Sequence, residues 1–411
     1  MIKKISYSRS DIYNILGIVF LFCLTNMFFN YKPLVLSDLF GNVVNLIVNA
    51  SFVLVLFKMC LKKQNDNVSK FVAAILIMFA VSLIYPWIFW NQSVYYTFRS
   101  MGKLFPLCFF FLFQIYKVNV KQMTTAVLVL ALIYSLMEII AINTFPNNII
   151  GFSDYLDTDI ADSSLEQRGV IRLSIPGADF IVCAIFWVLN YFKNKKKWYV
   201  LLIPLFFMLM LRGTRTPLLV AALMTVVFIM WNIKNKLLII IVCLFTYFIY
   251  QEAYNAALNS NSDNIIVKYV QLTNNQMDTG EEDIRVTMTK YFFKDFNTNP
   301  LQDLIGNGIN SVGDYGNKIA YLGQNKGLCI TDVLPTNIFL FFGIVGLLLY
   351  TLLFFAVLRS KVTPDCMFAK MMVIYMYLIG PTNVALLSIS PMIFAMSLYI
   401  VKKGINFKEI H

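Results

Sequence analysis

Apolar runs about twenty residues long recur through this chain, and short polar clusters rich in lysine part them. A helix rises about 1.5 Å per residue and a bilayer core is about 30 Å thick, so runs of this length suit helices that cross a membrane. Composition closes off the soluble alternative. Charged residues are 14% of the 411 and hydrophobic ones 59%, whereas soluble domains carry about 25% charged residues. The predicted fold class is an all-α polytopic integral membrane protein. About twelve transmembrane helices are placed near 13–29, 42–60, 71–90, 98–116, 123–145, 175–192, 198–211, 217–233, 237–251, 333–358, 366–381 and 384–401.

Lysine tests that count, because positive charge gathers on the cytoplasmic side and should recur at every second connection. Lys62, Lys63 and Lys70 follow the second span, and Lys117 and Lys121 the fourth. Lys193, Lys195, Lys196 and Lys197 follow the sixth, Lys234 and Lys236 the eighth, Arg359 and Lys361 the tenth, and Lys402, Lys403 and Lys408 the last. Both termini are predicted to be cytoplasmic. Lys3, Lys4 and Arg9 precede the first span and no small-residue cleavage site follows, so that helix is expected to remain in the mature protein. Residues 1–411 read as a single membrane domain with two long outer connections, approximately 146–174 and 252–332. The formal charge of +12 is distributed in this orientation pattern, so no nucleic-acid partner is expected. Seven scattered cysteines with no CxxC spacing support neither a disulfide scaffold nor a zinc site.

The larger outer connection is too long to be a featureless loop. Thr279 and Glu282 have capping-box spacing, and Ile284, Met288, Tyr291, Phe292 and Phe296 then repeat at helical intervals, which predicts an amphipathic helix on the membrane surface or the bundle top. Gly306, Gly308, Gly313 and Gly316 follow, a density that permits tight turns and brings backbone amides close to a ligand.

Basic residues divide by type. Of 26 lysines, 19 fall on the cytoplasmic side, whereas six of eight arginines fall outside: Arg99, Arg168, Arg172, Arg212, Arg215 and Arg285. Orientation does not explain this, since lysine and arginine serve the positive-inside rule equally. A planar guanidinium that donates paired hydrogen bonds suits phosphate or carboxylate better than an ammonium does. Snorkelling to lipid head groups is the plain alternative for Arg212 and Arg215, which share the tight turn RGTRTP; a solvated loop face is that for Arg168 and Arg172. Arg285 could instead pair with Asp283 or Glu281.

Glu138 and Asp179 lie within spans, where acids read as functional unless they only make a structural hydrogen bond or pair with an arginine. Consecutive Glu281, Glu282 and Asp283 point different ways on a helix, so no metal site is predicted, and no cofactor is expected. The only histidine is His411, which sets aside histidine chemistry on the outer face.

The stretches LRGTRTPLLVAAL, IRVTMTKYFFKDFNTNPLQDLIGNGINSVG and PTNIFLFFGIVGLLLY, in that order, resemble the membrane family of O-antigen and capsular polysaccharide polymerases and ligases. There an arginine-bearing turn precedes a large outer loop with an arginine and a glycine pair, which leads into a helix with Asn and GxxG. The matching positions here are Arg212 and Arg215, Arg285, Gly306 and Gly308, then Asn337, Gly343 and Gly346, over about residues 205–350. The resemblance implies a GT-C-like architecture and glycosyl transfer from an undecaprenyl-diphosphate-linked oligosaccharide at the outer face of the bacterial plasma membrane.

In that reading Arg215 and Arg285 stabilise the diphosphate leaving group, and Asp332, Glu138 or Asp179 is the base. Arg212, Arg168, Arg172, Gly306, Gly308 and Asn337 join the last two as substrate-binding candidates. Membrane lipids, a chain-length regulator and a flippase are the further partners implied. Ligases of the family carry histidine immediately before the asparagine, where this chain has Thr336, which favours polymerase over ligase. A transporter of an anionic or lipid-linked solute is the alternative class, though the chain shows no related halves.

Overall fold

The computed structural model describes residues 8–23, 37–144, 177–211, 215–231, 284–383, 387 and 391–406. Helices α1 (Arg9–Phe22), α2 (Ser37–Val55), α3 (Asn67–Ser82), α4 (Tyr85–Trp90), α5 (Val94–Met101), α6 (Phe109–Ile115) and α7 (Val120–Thr144) form the first half. The second half has α8 (Ala178–Tyr191), α9 (Leu202–Leu211), α10 (Arg215–Trp231), α11 (Ile284–Lys294), α12 (Pro300–Ile305), α13 (Gly313–Lys326), α14 (Leu334–Arg359), α15 (Met367–Leu378) and α16 (Pro391–Asn406). No strand occurs among the described residues. This is an all-α membrane protein.

Among the described residues, three continuous or nearly continuous helices are long and apolar enough to cross a bilayer: Asn67–Trp90, Val120–Ala141 and Leu334–Arg359. Shorter apolar helices cover other predicted spans, among them Asn45–Cys60, Ala178–Tyr191, Lys197–Leu211 and Thr216–Met230. The ninth predicted span, 237–251, lies outside the described residues, as does the whole of the outer connection 146–174. The fourth span departs from expectation: it starts at Val94 and is bent by 62° between Met101 and Phe105. The cause is local. Gly102 caps α5, and Pro106 opens a tight 3-10 turn over Phe105–Cys108 because its ring cannot sit in a helix interior.

Helix α14 is central to the packing. It lies along α3 on one side, where Phe79 and Phe342 have ring centroids 5.2 Å apart, and carries α11, α12 and α15 on others. Elsewhere α7 packs on α1 and α8, and α15 on α8 and α16.

Hydrogen bonds sort the helix ends into two groups. At one end, Gln122 donates to Asp11 (2.7 Å), Tyr399 to the Val118 carbonyl (2.6 Å) and Asn190 to the Pro364 carbonyl (2.5 Å). Lys402 also reaches both Asp66 (3.6 Å) and the Gln114 side chain there. Every one of these ends lies beside a lysine cluster. At the opposite end, Trp90 and Gln92 bond to residues 307 and 309, and Thr289 to Thr336.

Candidate functional site

Helix α12 begins with a capping box, Asn299 and Gln302 each bonding the other's backbone, and ends at Gly306 with φ +83°. The chain then lies against α14. Gly343, with φ +63° and ψ −160°, breaks that helix, and a turn before the break the Leu340 and Phe341 carbonyls accept from Asn307 N (2.8 Å) and Gly308 N (2.9 Å).

Both glycines at the crossing are required by space as well as by φ. A Cβ on Gly306 would sit 2.3 Å from Phe342 N, and one on Gly343 would sit 2.4 Å from the Leu304 carbonyl carbon. Gly308 is packed against Pro86 and Ser82 in the same way.

Asn307, fully buried, ties this crossing to three segments. Its Oδ1 accepts from Trp90 Nε1 and from Gln302 Nε2, each at 2.9 Å. Its Nδ2 donates to Asn297 Oδ1 (2.8 Å) and to the Leu340 carbonyl (3.3 Å). Gln92 extends the tie, donating to the Ile309 carbonyl (3.0 Å) and accepting from Ser311 N (2.9 Å), while Tyr315 OH donates to the Gly308 carbonyl (3.0 Å).

The expected role of Gly306 and Gly308 therefore needs correction: the amides of residues 306 to 308 all donate to carbonyls of the protein, and the close approach is to helix backbone. Gly316 is also reassigned, from a turn to the interior of α13, where it packs on Ser311.

The predicted amphipathic helix is α11, which docks on α14. Met288, Phe292 and Phe296 are buried as the stripe requires, and Phe293 stacks on Phe339 at 4.1 Å. Ile284 departs from the stripe, being 48% exposed, and Thr279 and Glu282 lie outside the described residues.

Docking places Arg285 one turn before Thr289, whose hydroxyl donates to the Arg285 carbonyl (2.7 Å) and meets the Thr336 hydroxyl at 3.0 Å. Thr336 is fully buried. Next to it Asn337, also buried, donates Nδ2 to the Ile330 carbonyl (3.2 Å), and its Oδ1 has no hydrogen-bond partner among the described residues. Half-buried Asp332 ends the 3-10 turn that precedes α14. Burial, and then the charge of Asp332, pushes the thiol of exposed Cys329 above its usual range. The head of α14 thus gathers Arg285, Asp332, Thr336 and Asn337.

Arg168, Arg172 and Arg212 lie outside the described residues, and Arg215 opens α10 with a side chain that is not described, so the expected meeting of Arg215 with Arg285 lies outside them too. Arg99 is exposed. Glu138 in α7 and Asp179 in the first turn of α8 are buried, and each makes a hydrogen bond or electrostatic interaction. Neither helix is among those packed extensively on α14.

Sequence reasoning missed Asn307, Trp90, Gln92 and Lys318. Lys318 Nζ lies 4.8 Å from the Trp90 ring centroid and 4.3 Å from that of Phe296, and burial holds its pKa below the usual value. Only the position of Asn307 between two glycines could have marked any of them.

Residues 199–351 match the family model described as O-Antigen ligase. Over that segment the chain is O-antigen ligase-like. The match bears out the resemblance over about residues 205–350. The O-antigen ligase-like segment runs from the start of α9 into α14, so it contains the arginine turn, α11, the glycine crossing and the head of α14. Trp90 and Gln92 lie outside it and brace it from the first half of the chain. A search of curated proteins returned no match to this chain.

Proposed function

We propose that this protein is a membrane polysaccharide polymerase that joins undecaprenyl-diphosphate-linked oligosaccharide repeats at the outer face of the bacterial plasma membrane. The observation that carries the polymerase reading is Thr336. Where the ligase pattern has histidine, this chain has a buried hydroxyl bonded to Thr289 on the arginine-bearing helix. The grouping of lysine-flanked ends at one end of the bundle supports an orientation with both termini cytoplasmic and the head of α14 outside.

In the reaction the bond between the anomeric carbon and the diphosphate oxygen breaks, and a bond from that carbon to an acceptor sugar oxygen forms. The electron pair leaves on the diphosphate, where Arg285, with Arg215 and Arg212, stabilises it without a metal cofactor. The acceptor hydroxyl proton passes to Asp332 or, if the donor ionises early, to water. Arg168, Arg172, Glu138, Asp179 and Asn337 are assigned to substrate binding, whereas Gly306 and Gly308 hold the scaffold.

The family description favours a second reading, ligation of a finished glycan to its carrier. Deletion followed by sizing of lipid-linked glycans separates the two. Polymerase predicts loss of the length ladder with survival of single repeats. Loss of attachment to the final carrier would establish the ligase, and cytoplasmic accumulation of single repeats would point to a flippase instead.

A further inference from the structure

At the end of the bundle opposite the glycine crossing, α3, α14 and α16 leave a cavity of about 370 Å³ between them. Its lining changes character with depth. Asp66 caps the start of α3, and Arg359 and Ser360 close α14, so the rim is polar and charged. One to two turns inward the wall is apolar, formed by residues such as Phe71, Leu352 and Phe355. Leu352 and Phe355 are 45% and 44% exposed, so the cavity opens sideways where a membrane-crossing helix meets lipid.

The rim is also unbalanced in charge. Asp66 is already engaged: Oδ1 accepts from Ser69 N and Oδ2 from Ser69 Oγ, each at 2.8 Å, and Lys402 Nζ lies 3.6 Å from Oδ2. Arg359 has no ion-pair partner among the described residues, and its guanidinium carbon lies 6.0 Å from the Phe355 ring centroid. Two cations therefore face one occupied carboxylate. Lys370 adds a third nearby, donating to the carbonyls of Leu358 and Ser360 (2.8 Å each).

We propose that this groove is a binding site for one anionic phospholipid, its phosphate on Arg359 and its glycerol and first acyl carbons on the apolar wall. A guanidinium free of carboxylate is a paired-donor match for phosphate, and the polar-to-apolar gradient follows the long axis of an amphiphile. A zwitterionic headgroup would bring its ammonium among Arg359 and Lys402, which disfavours it. The site is separate from the head of α14 and does not rest on the glycosyl-transfer reading.

The test uses the full chain in nanodiscs with photoactivatable phosphatidylglycerol or phosphatidylethanolamine, and maps adducts by peptide mass spectrometry. Phosphatidylglycerol should label residues 66–71 and 352–360 above all other lipid-facing segments, and phosphatidylethanolamine should not. Native mass spectrometry should show retained phosphatidylglycerol falling on the order of tenfold in Arg359→Ala.

Adducts spread evenly over the lipid-facing helices would overturn the proposal, as would equal labelling by both lipids. Mapping in the wild-type chain decides the matter even if Arg359→Ala does not fold. Preferential capture of an added polyprenyl diphosphate in the same groove would make it part of the substrate path and remove the phospholipid assignment.

Discussion

Two stretches of α14, one turn apart, have opposite hydrogen-bond economies. Around Leu340 and Phe341 the amides of residues 306 to 308 and both ends of the Asn307 side chain are used internally, with Asn307 alone making four side-chain hydrogen bonds. Around Thr336 and Asn337 capacity is left over, since Asn337 Oδ1 is buried without a partner among the described residues. A buried acceptor left unmade costs about 1–3 kcal/mol, so such a group is kept where something else repays it. The comparison teaches that the glycine-rich loop is a fixed dock, and that the head of α14 beside Arg285 is where substrate chemistry should be sought.

The largest effect should come from Arg285. Arg285→Lys keeps the charge and loses the paired donors, so turnover measured from glycan ladders at matched expression should fall roughly a hundredfold or more. A wild-type ladder from this variant and from Arg215→Lys would mean that these arginines are lipid anchors.

Next is Gly306→Ala, which drives a Cβ to 2.3 Å from Phe342 N at φ +83°. It should destabilise by about 3 kcal/mol or more. Gly313→Ala is the control: its φ is +69° but nothing lies within 4 Å, so only backbone strain of about 1 kcal/mol is expected. Equal melting temperatures for the two variants would show that the dock is not rigid.

Asn307 and Asn337 invert each other. Asn307→Ala strands the Trp90 and Gln302 donors and should cost about 1–3 kcal/mol in thermal or denaturant unfolding. Asn337→Ala removes one donor bond, should change stability by less than about 1 kcal/mol, and should lower activity. The reverse ordering would undo the distinction between dock and site.

The smallest effect concerns Cys329, the exposed thiol among the described cysteines, in the segment read as outer loop. An impermeant maleimide should label it on intact cells or spheroplasts, and Cys329→Ser should abolish that labelling. Because its pKa is raised, the thiolate fraction is small at neutral pH, and the rate should keep climbing past the usual thiol pKa. A rate whose midpoint lies at or below the usual thiol pKa would contradict the burial beside Asp332.

Much of the architecture was legible because it obeys one-dimensional rules. Apolar runs and the spacing of Met288, Phe292 and Phe296 are local patterns, and the described helices follow them. Two departures within the described spans and loops have local causes: the bend between Met101 and Phe105 arises from Gly102 and Pro106, and Gly316 lies in a helix, since glycine density alone does not separate a turn from a helix that needs a small residue against Ser311. Arginine segregation and the loop arginine were likewise visible without coordinates, since charge type and order survive in a linear string.

By itself, then, the sequence determined the helices, the grouping of their lysine-flanked ends and the residue types available for chemistry. Only the tertiary structure decided what the glycines approach. Positive φ at Gly306 and Gly343 is a property of each residue, but their partner is a backbone about forty residues away, and Trp90 reaches Asn307 across 217 positions. Contacts of that kind depend on which faces of which helices pack together, a choice made by the whole core and written in no short segment.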